Sequence, residues 1–147
     1  MAGPSPVLLT ARQKKLVRES MAAINEFPGA VVRLFYGRLF ELAPQVRPLF
    51  KTEIGEQSRR LSEMLNMIVE ALDRFDELRP VLADLGRRHV EYGARPEHYE
   101  VLRSALMWAF GNALGVQFDR ETRAAWDALI GMVSAAMLAA AAVPPPR

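Results

Sequence analysis

The sequence predicts an all-α domain of six or seven helices of unequal length. Apolar residues recur at intervals of three and four along most of the chain. Pro and Gly interrupt that pattern repeatedly, and no convincing alternating strand occurs. Size agrees: 147 residues make one domain that buries roughly two-thirds of its unfolded surface in a single core.

Thr10 is expected to cap a first helix reaching about Glu26, with Val17, Met21 and Ile24 turned toward the core. Pro28-Gly29 ends it. A second helix carries Val31, Val32, Leu34, Phe35, Leu39 and Phe40, an apolar surface wide enough to be mostly buried. Pro44 and Pro48 frame a short turn ending at Leu49-Phe50. Gln57, Leu61, Leu65, Ile68, Val69 and Leu72 then keep the helical period, with Arg59, Arg60, Glu63 and Glu70 largely off that stripe. Pro80 is expected to open the next helix, which stops near Tyr92-Gly93. Pro96 opens another through about Leu114, and Asp119 or Glu121 begins a last one to about Ala142.

The expected organisation is one domain over residues 1–147, with residues 1–9 and 143–147 as disordered ends. The stretch Ala124 to Val143 has Asp127 as its only charge, but from Ala135 onward it is mostly alanine. Its gain on membrane insertion would be small, so it reads as a core helix and not a membrane span. The number of short connections exceeds that of a simple four-helix bundle and suits helices packed around a central pocket.

Composition narrows the function. Half the residues are hydrophobic and 24% are charged, as in ordinary globular proteins, and the net charge is +2. Lys14-Lys15 and Arg59-Arg60 are pairs, not the clustered basic patch that nucleic-acid binding requires. The absence of cysteine excludes a disulfide framework, a thiolate nucleophile and a Cys-based zinc site. It suits a reducing interior, and Val7-Leu8-Leu9 is too short for the apolar core of a leader, so a cytoplasmic location is the expectation.

The most informative residue is His89. Leu82, Leu85, His89 and Tyr92 share one helical face, so the imidazole points inward among apolar neighbours. Such a group needs a partner, because an unpaired buried polar group costs ~1–3 kcal/mol. By itself it reads as a hydrogen-bonded core histidine. His98, beside Tyr99 near a helix start, reads as exposed. Met64, Met67, Met107 and Met132 read as core filler.

Five segments in order carry a family resemblance: Phe35-Tyr36-Gly37-Arg38-Leu39-Phe40, Pro44 with Phe50, Gln57-Ser58-Arg59-Arg60-Leu61, Leu85-Gly86-Arg87-Arg88-His89, and Pro96-Glu97-His98-Tyr99. From about Leu16 to Met137 the chain resembles the single-domain bacterial globins, notably the Hell's Gate type, and the globin domain of flavohaemoglobins. The resemblance implies a globin fold around one haem b, held without covalent links. It implies His89 as the proximal iron ligand, its second ring nitrogen donating to a carbonyl of its own helix. Phe50, Leu61 and Leu85 become pocket walls, and Tyr99 lies on the proximal side. Tyr36 and Gln57 become distal donors, beside Leu61, to dioxygen, which carries partial negative charge when held there. Arg60 and Arg88 become candidate partners of the haem propionates.

One departure is informative. Flavohaemoglobins pair the proximal tyrosine with a glutamate late in the last helix, whereas Ala139 to Val143 holds no carboxylate. Peroxidase-like activation is therefore not expected. Reversible dioxygen binding, as in a carrier or storage globin, is the leading function. The alternative is a nitric oxide dioxygenase, in which dioxygen and nitric oxide give nitrate and leave ferric iron. The chain ends before any flavin domain, so that enzyme would need a separate flavin reductase as partner. Gas sensing ranks third, for want of an output domain. Other diatomic gases are expected ligands, nucleic acid and membrane are not expected partners, and the protein is read as a monomer or homodimer.

Overall fold

The structure is a computed structural model that describes residues 9–50 and 54–142. Residues 1–8 and 143–147, most of the two ends read above as disordered, lie outside the described residues. Leu9, counted with the N-terminal end, is buried at 7% exposure and joins the core. The helices are α1 (Ala11–Glu26), α2 (Pro28–Leu42), α3 (Ile54–Glu70), α4 (Phe75–Glu91), α5 (Pro96–Leu114) and α6 (Arg120–Ala141). Three 3₁₀ segments, Pro44–Leu49, Leu72–Arg74 and Gly115–Gln117, connect them. No strand occurs among the described residues. Counting the six-residue Pro44–Leu49 turn as a helix gives seven, the upper figure expected.

The boundaries follow local chemistry. Thr10 Oγ1 accepts from the Gln13 N–H at 3.1 Å, while Gln13 Oε1 accepts from the Thr10 N–H at 3.0 Å, a reciprocal cap. Between the two candidates for the last cap, Asp119 is used: its carboxylate accepts from the Thr122 N–H at 2.9 Å. That bond holds the Asp119 carboxyl below the usual carboxylate range. Gly93 (φ 95°) and Gly115 (φ 58°) close α4 and α5 in the left-handed region, where a Cβ is costly.

Pro80 does not start the fourth helix. The helix begins at Phe75 and carries Pro80 in its interior. The missing N–H forfeits one bond, to the Asp76 carbonyl. Phe75, Leu78 and Leu82 keep one buried face in phase across it, and Asp76 and Glu77 favour the helix N-terminus. Burial of that face outweighs the forfeited bond.

The core is centred on Trp126, Phe110, Leu39, Leu82, Leu129, Val17 and Val31, all under 2% exposed. Trp126 and Phe110 pack at 4.5 Å between ring centroids. The Trp126 indole donates to Ser20 Oγ at 2.8 Å, and Ser20 in turn donates to the Leu16 carbonyl at 2.7 Å. This buried chain ties α1 to α6 and leaves no donor unmet. By length and composition α6 could cross a membrane. In the fold it packs Ala125, Trp126, Leu129 and Met137 into the core, chiefly against α4 and α1. The methionines are less uniform than core filler: Met107 is buried, Met64 and Met132 pack at its margin, and Met67 is 41% exposed on the outer side of α3.

Candidate functional site

The second half of α4 presents His89. It is half-buried, and its Nδ1 lies 2.7 Å from the Leu85 carbonyl oxygen one turn back. A carbonyl can only accept, so Nδ1 carries a proton and donates, which in the neutral imidazole leaves the lone pair on Nε2. The hydrogen bond fixes tautomer and ring orientation together. Leu85, also half-buried, packs against the core on the same face.

Tyr99 approaches from the first turns of α5. Its ring centroid is 6.5 Å from that of His89, and the residue is 8% exposed. Its hydroxyl is buried and has no hydrogen-bond partner among the described residues. Burial raises its pKa, so the group stays a phenol. Tyr92, 6.2 Å from His89 on the outer side, is 53% exposed. His98 is half-buried and not simply exposed, because its Nδ1 accepts from the Arg95 N–H at 3.0 Å and so caps α5.

A second group comes from α2 and α3. Tyr36 is 6% exposed, and desolvation pushes its pKa up to about 12. Its ring meets Phe50 edge-on at 5.6 Å and Phe35 at 4.9 Å, and Phe50 meets Phe40 at 5.4 Å. Phe50 lies at the end of the 3₁₀ turn that Pro44 opens, which turns the chain back over α2. Gln57 and Leu61 sit one turn apart on α3, both half-buried, and Leu61 packs against the core.

The structure thus gathers the predicted residues into two sets: His89, Leu85 and Tyr99 in one, Tyr36 and Phe50 in the other. Arg60 and Arg88 are spent locally. Arg60 Nη2 lies 3.0 Å from Glu56 and Arg88 Nε 3.0 Å from Asp84, each pair on one helix and largely exposed. Such pairs are weak and exchangeable. Sequence reasoning gave no role to Gly86. A Cβ there would lie 2.8 Å from Met137 C and Cα and closer still to the Met137 carbonyl oxygen. The signal was present, a glycine inside a helix one turn before His89, but the facing residue was not readable. It also passed over Phe40 as general core, although Phe40 packs on both Tyr36 and Phe50.

The donor set suits a macrocyclic iron cofactor. It offers one imidazole whose Nε2 is not used by the protein's hydrogen bond, and no cluster of three or more metal-ligating side chains exists among the described residues. The orphaned Tyr99 hydroxyl beside that imidazole marks a flank the protein leaves incompletely satisfied.

Comparison with known proteins agrees. Residues 33–137 match the globin family. The chain is 30% identical over 125 residues to the flavohemoprotein of Pseudomonas aeruginosa, covering 82% of this chain and 32% of that protein. It is 27% identical over 138 residues to the flavohemoprotein of Rhizobium meliloti, covering 86% and 34%. It therefore spans about a third of the length of these curated relatives. A bacterial globin from Campylobacter jejuni superposes with a TM-score of 0.80 at 23% identity, over 90% of this chain and 96% of that one. With two-thirds of its length matched in sequence and nearly all of it in fold, this chain belongs to the globin family.

Proposed function

We propose that this globin binds one haem b non-covalently and holds dioxygen reversibly. The observation that carries the reading is Tyr36: a phenol 6% exposed among aromatic rings, with its pKa raised to about 12, remains a hydrogen-bond donor at any physiological pH. Bound haem would supply an iron atom able to take one protein ligand and, when ferrous, a diatomic gas. His89 Nε2 would be that protein ligand, oriented by the bond from Nδ1 to the Leu85 carbonyl. Phe50, Leu61, Leu85 and Tyr99 would wall the pocket and exclude water. Tyr36, seconded by Gln57, would donate to the negative charge that dioxygen acquires there. Arg60 and Arg88 would exchange their own-helix carboxylates for haem propionates. The lack of cysteine supports non-covalent attachment.

A second reading, nitric oxide dioxygenase working with a separate flavin reductase, draws support from the likeness to flavohemoproteins. Both readings use the same pocket. The unpartnered Tyr99 hydroxyl favours the first, because among the described residues no carboxylate accepts from it on His89's flank to strengthen the imidazole as an electron donor.

Absorption spectroscopy of the purified protein tests the proposal. The ferrous protein should take up dioxygen and return to its unliganded spectrum when the gas is removed. Rapid conversion to ferric protein with no stable oxygenated form would refute reversible binding.

A further inference from the structure

We infer that Gly86 is a positioning residue for His89: by letting the α4 backbone ride directly on the α6 backbone at Met137, it sets how the imidazole is presented to its pocket. The inference rests on the reading of His89 as iron ligand. Glycine weakens a helix interior through backbone entropy. Conformation does not require it here, since only Gly93 and Gly115 among the described glycines adopt positive φ. Space does. A Cβ at Gly86 would come to 2.8 Å from Met137 C and Cα, backbone atoms that cannot swing aside.

Other helical glycines are different. At Gly37 a Cβ meets nothing within 4 Å, and at Gly131 it meets only the Arg103 guanidinium at 3.7 Å. Gly86 is itself buried, and α4 against α6 is the most extensive helix contact among the described residues. Its close approach therefore sits within the main packing contact of the His89 helix.

The lever to His89 is short. Gly86 follows Leu85, whose carbonyl takes the Nδ1 proton, and precedes His89 by one turn. Any displacement of the backbone at Gly86 carries both partners of that bond. Tyr99, on α5, does not move with them. Separating α4 from α6 would thus alter how the His89 ring faces Tyr99, now 6.5 Å away between centroids. Tightly packed interiors transmit such shifts and do not absorb them.

The test compares Gly86→Ala with Val17→Ala, a core truncation in α1 where Val17 is 0% exposed. Three readouts are taken. In the haem-loaded protein they are the iron–imidazole stretching frequency and the rate of haem transfer to excess acceptor apoprotein. In the apoprotein they are the His89 ring nitrogen chemical shifts. Gly86→Ala should shift the frequency and the ring signals and speed haem transfer roughly tenfold or more. Val17→Ala should lower stability and leave the frequency and ring signals alone. Unchanged signals in Gly86→Ala, or equal changes in both variants, would overturn the inference. If Gly86→Ala fails to fold, it is repeated in the stabilising Gly37→Ala background, and failure there too would also overturn it. A wild-type protein that takes up no haem would refute the functional reading instead, and the apoprotein signals would still decide the role of Gly86.

Discussion

The Tyr99 hydroxyl is buried without a hydrogen-bond partner among the described residues, on a ring whose centroid lies 6.5 Å from that of His89. The end of α6 contributes only alanines from Ala139 to Ala141, so no carboxylate there can accept from the phenol. The ring packs while the oxygen remains an unmet burden of ~1–3 kcal/mol.

Tyr99→Phe should therefore be neutral or stabilising, by up to ~1 kcal/mol, because it removes an unsatisfied polar atom and keeps the ring. The iron–imidazole frequency should not change. Thermal denaturation and resonance Raman spectroscopy check both parts. A loss of stability above about 1 kcal/mol would mean that the hydroxyl has a partner after all.

On the proposed function, Tyr36→Phe should speed dioxygen release about tenfold or more, since a hydrogen bond to a charged acceptor is worth ~1.5–3 kcal/mol. Gln57→Leu should do less, because Gln57 is only half-buried while Tyr36 is 6% exposed. With the Tyr36 pKa at about 12, the wild-type release rate should show no titration of this group at neutral pH. Unchanged release in both single variants and in the double variant would remove the distal pair from the account.

Much of this was legible in the chain. The caps at Thr10 and Asp119, the breaks at Pro28, Pro44 and Pro96, and the stops at Gly93 and Gly115 are local chemistry, and local chemistry can be read from neighbours in sequence. The His89 bond to Leu85 belongs to the same class, a contact within one helical turn. What escaped depends on distant partners. Pro80 reads as a helix start because its missing N–H is a local signal, whereas the burial of Phe75 and Leu78 that overrides it is tertiary. Gly86 makes sense only once α6 lies against it. The pairs Arg60–Glu56 and Arg88–Asp84, four residues apart on one helix, are local contacts of the readable kind.

A pH effect follows from Asp73, which joins the segment before α4 to α1. Its carboxylate lies 2.9 Å from Lys14 Nζ and 2.9 Å from Arg18 Nη2, and these hydrogen bonds, Lys14 first, hold its pKa below the ordinary value. A depressed carboxylate pKa stabilises the folded state above the unfolded value of about 3.9, and that contribution is lost as pH falls through the lower folded value. The stability difference between wild type and Asp73→Asn should stay constant from about pH 7 to pH 5 and close below about pH 4. Urea denaturation across that range measures it. A difference that widens on acidification would contradict the assigned sign.

Nitric oxide separates carrier from enzyme. A single stoichiometric conversion to ferric protein and nitrate does not discriminate, because it needs only dioxygen in an accessible pocket. Steady-state consumption with NADH and a purified flavin reductase does. Slow turnover is expected, since Tyr99 has no carboxylate partner among the described residues. Sustained turnover of roughly tens per second or more, ordinary for an enzyme, would promote the dioxygenase reading.

The most direct measurement is the absorption spectrum of His89→Ala beside that of wild type, each purified after expression with haem available. Wild type should carry one acid-extractable haem. The variant should lose most of it, or recover a ligated spectrum only when imidazole is added. A His89→Ala protein that retained haem and showed the wild-type oxygenated spectrum without imidazole would contradict the account at its centre.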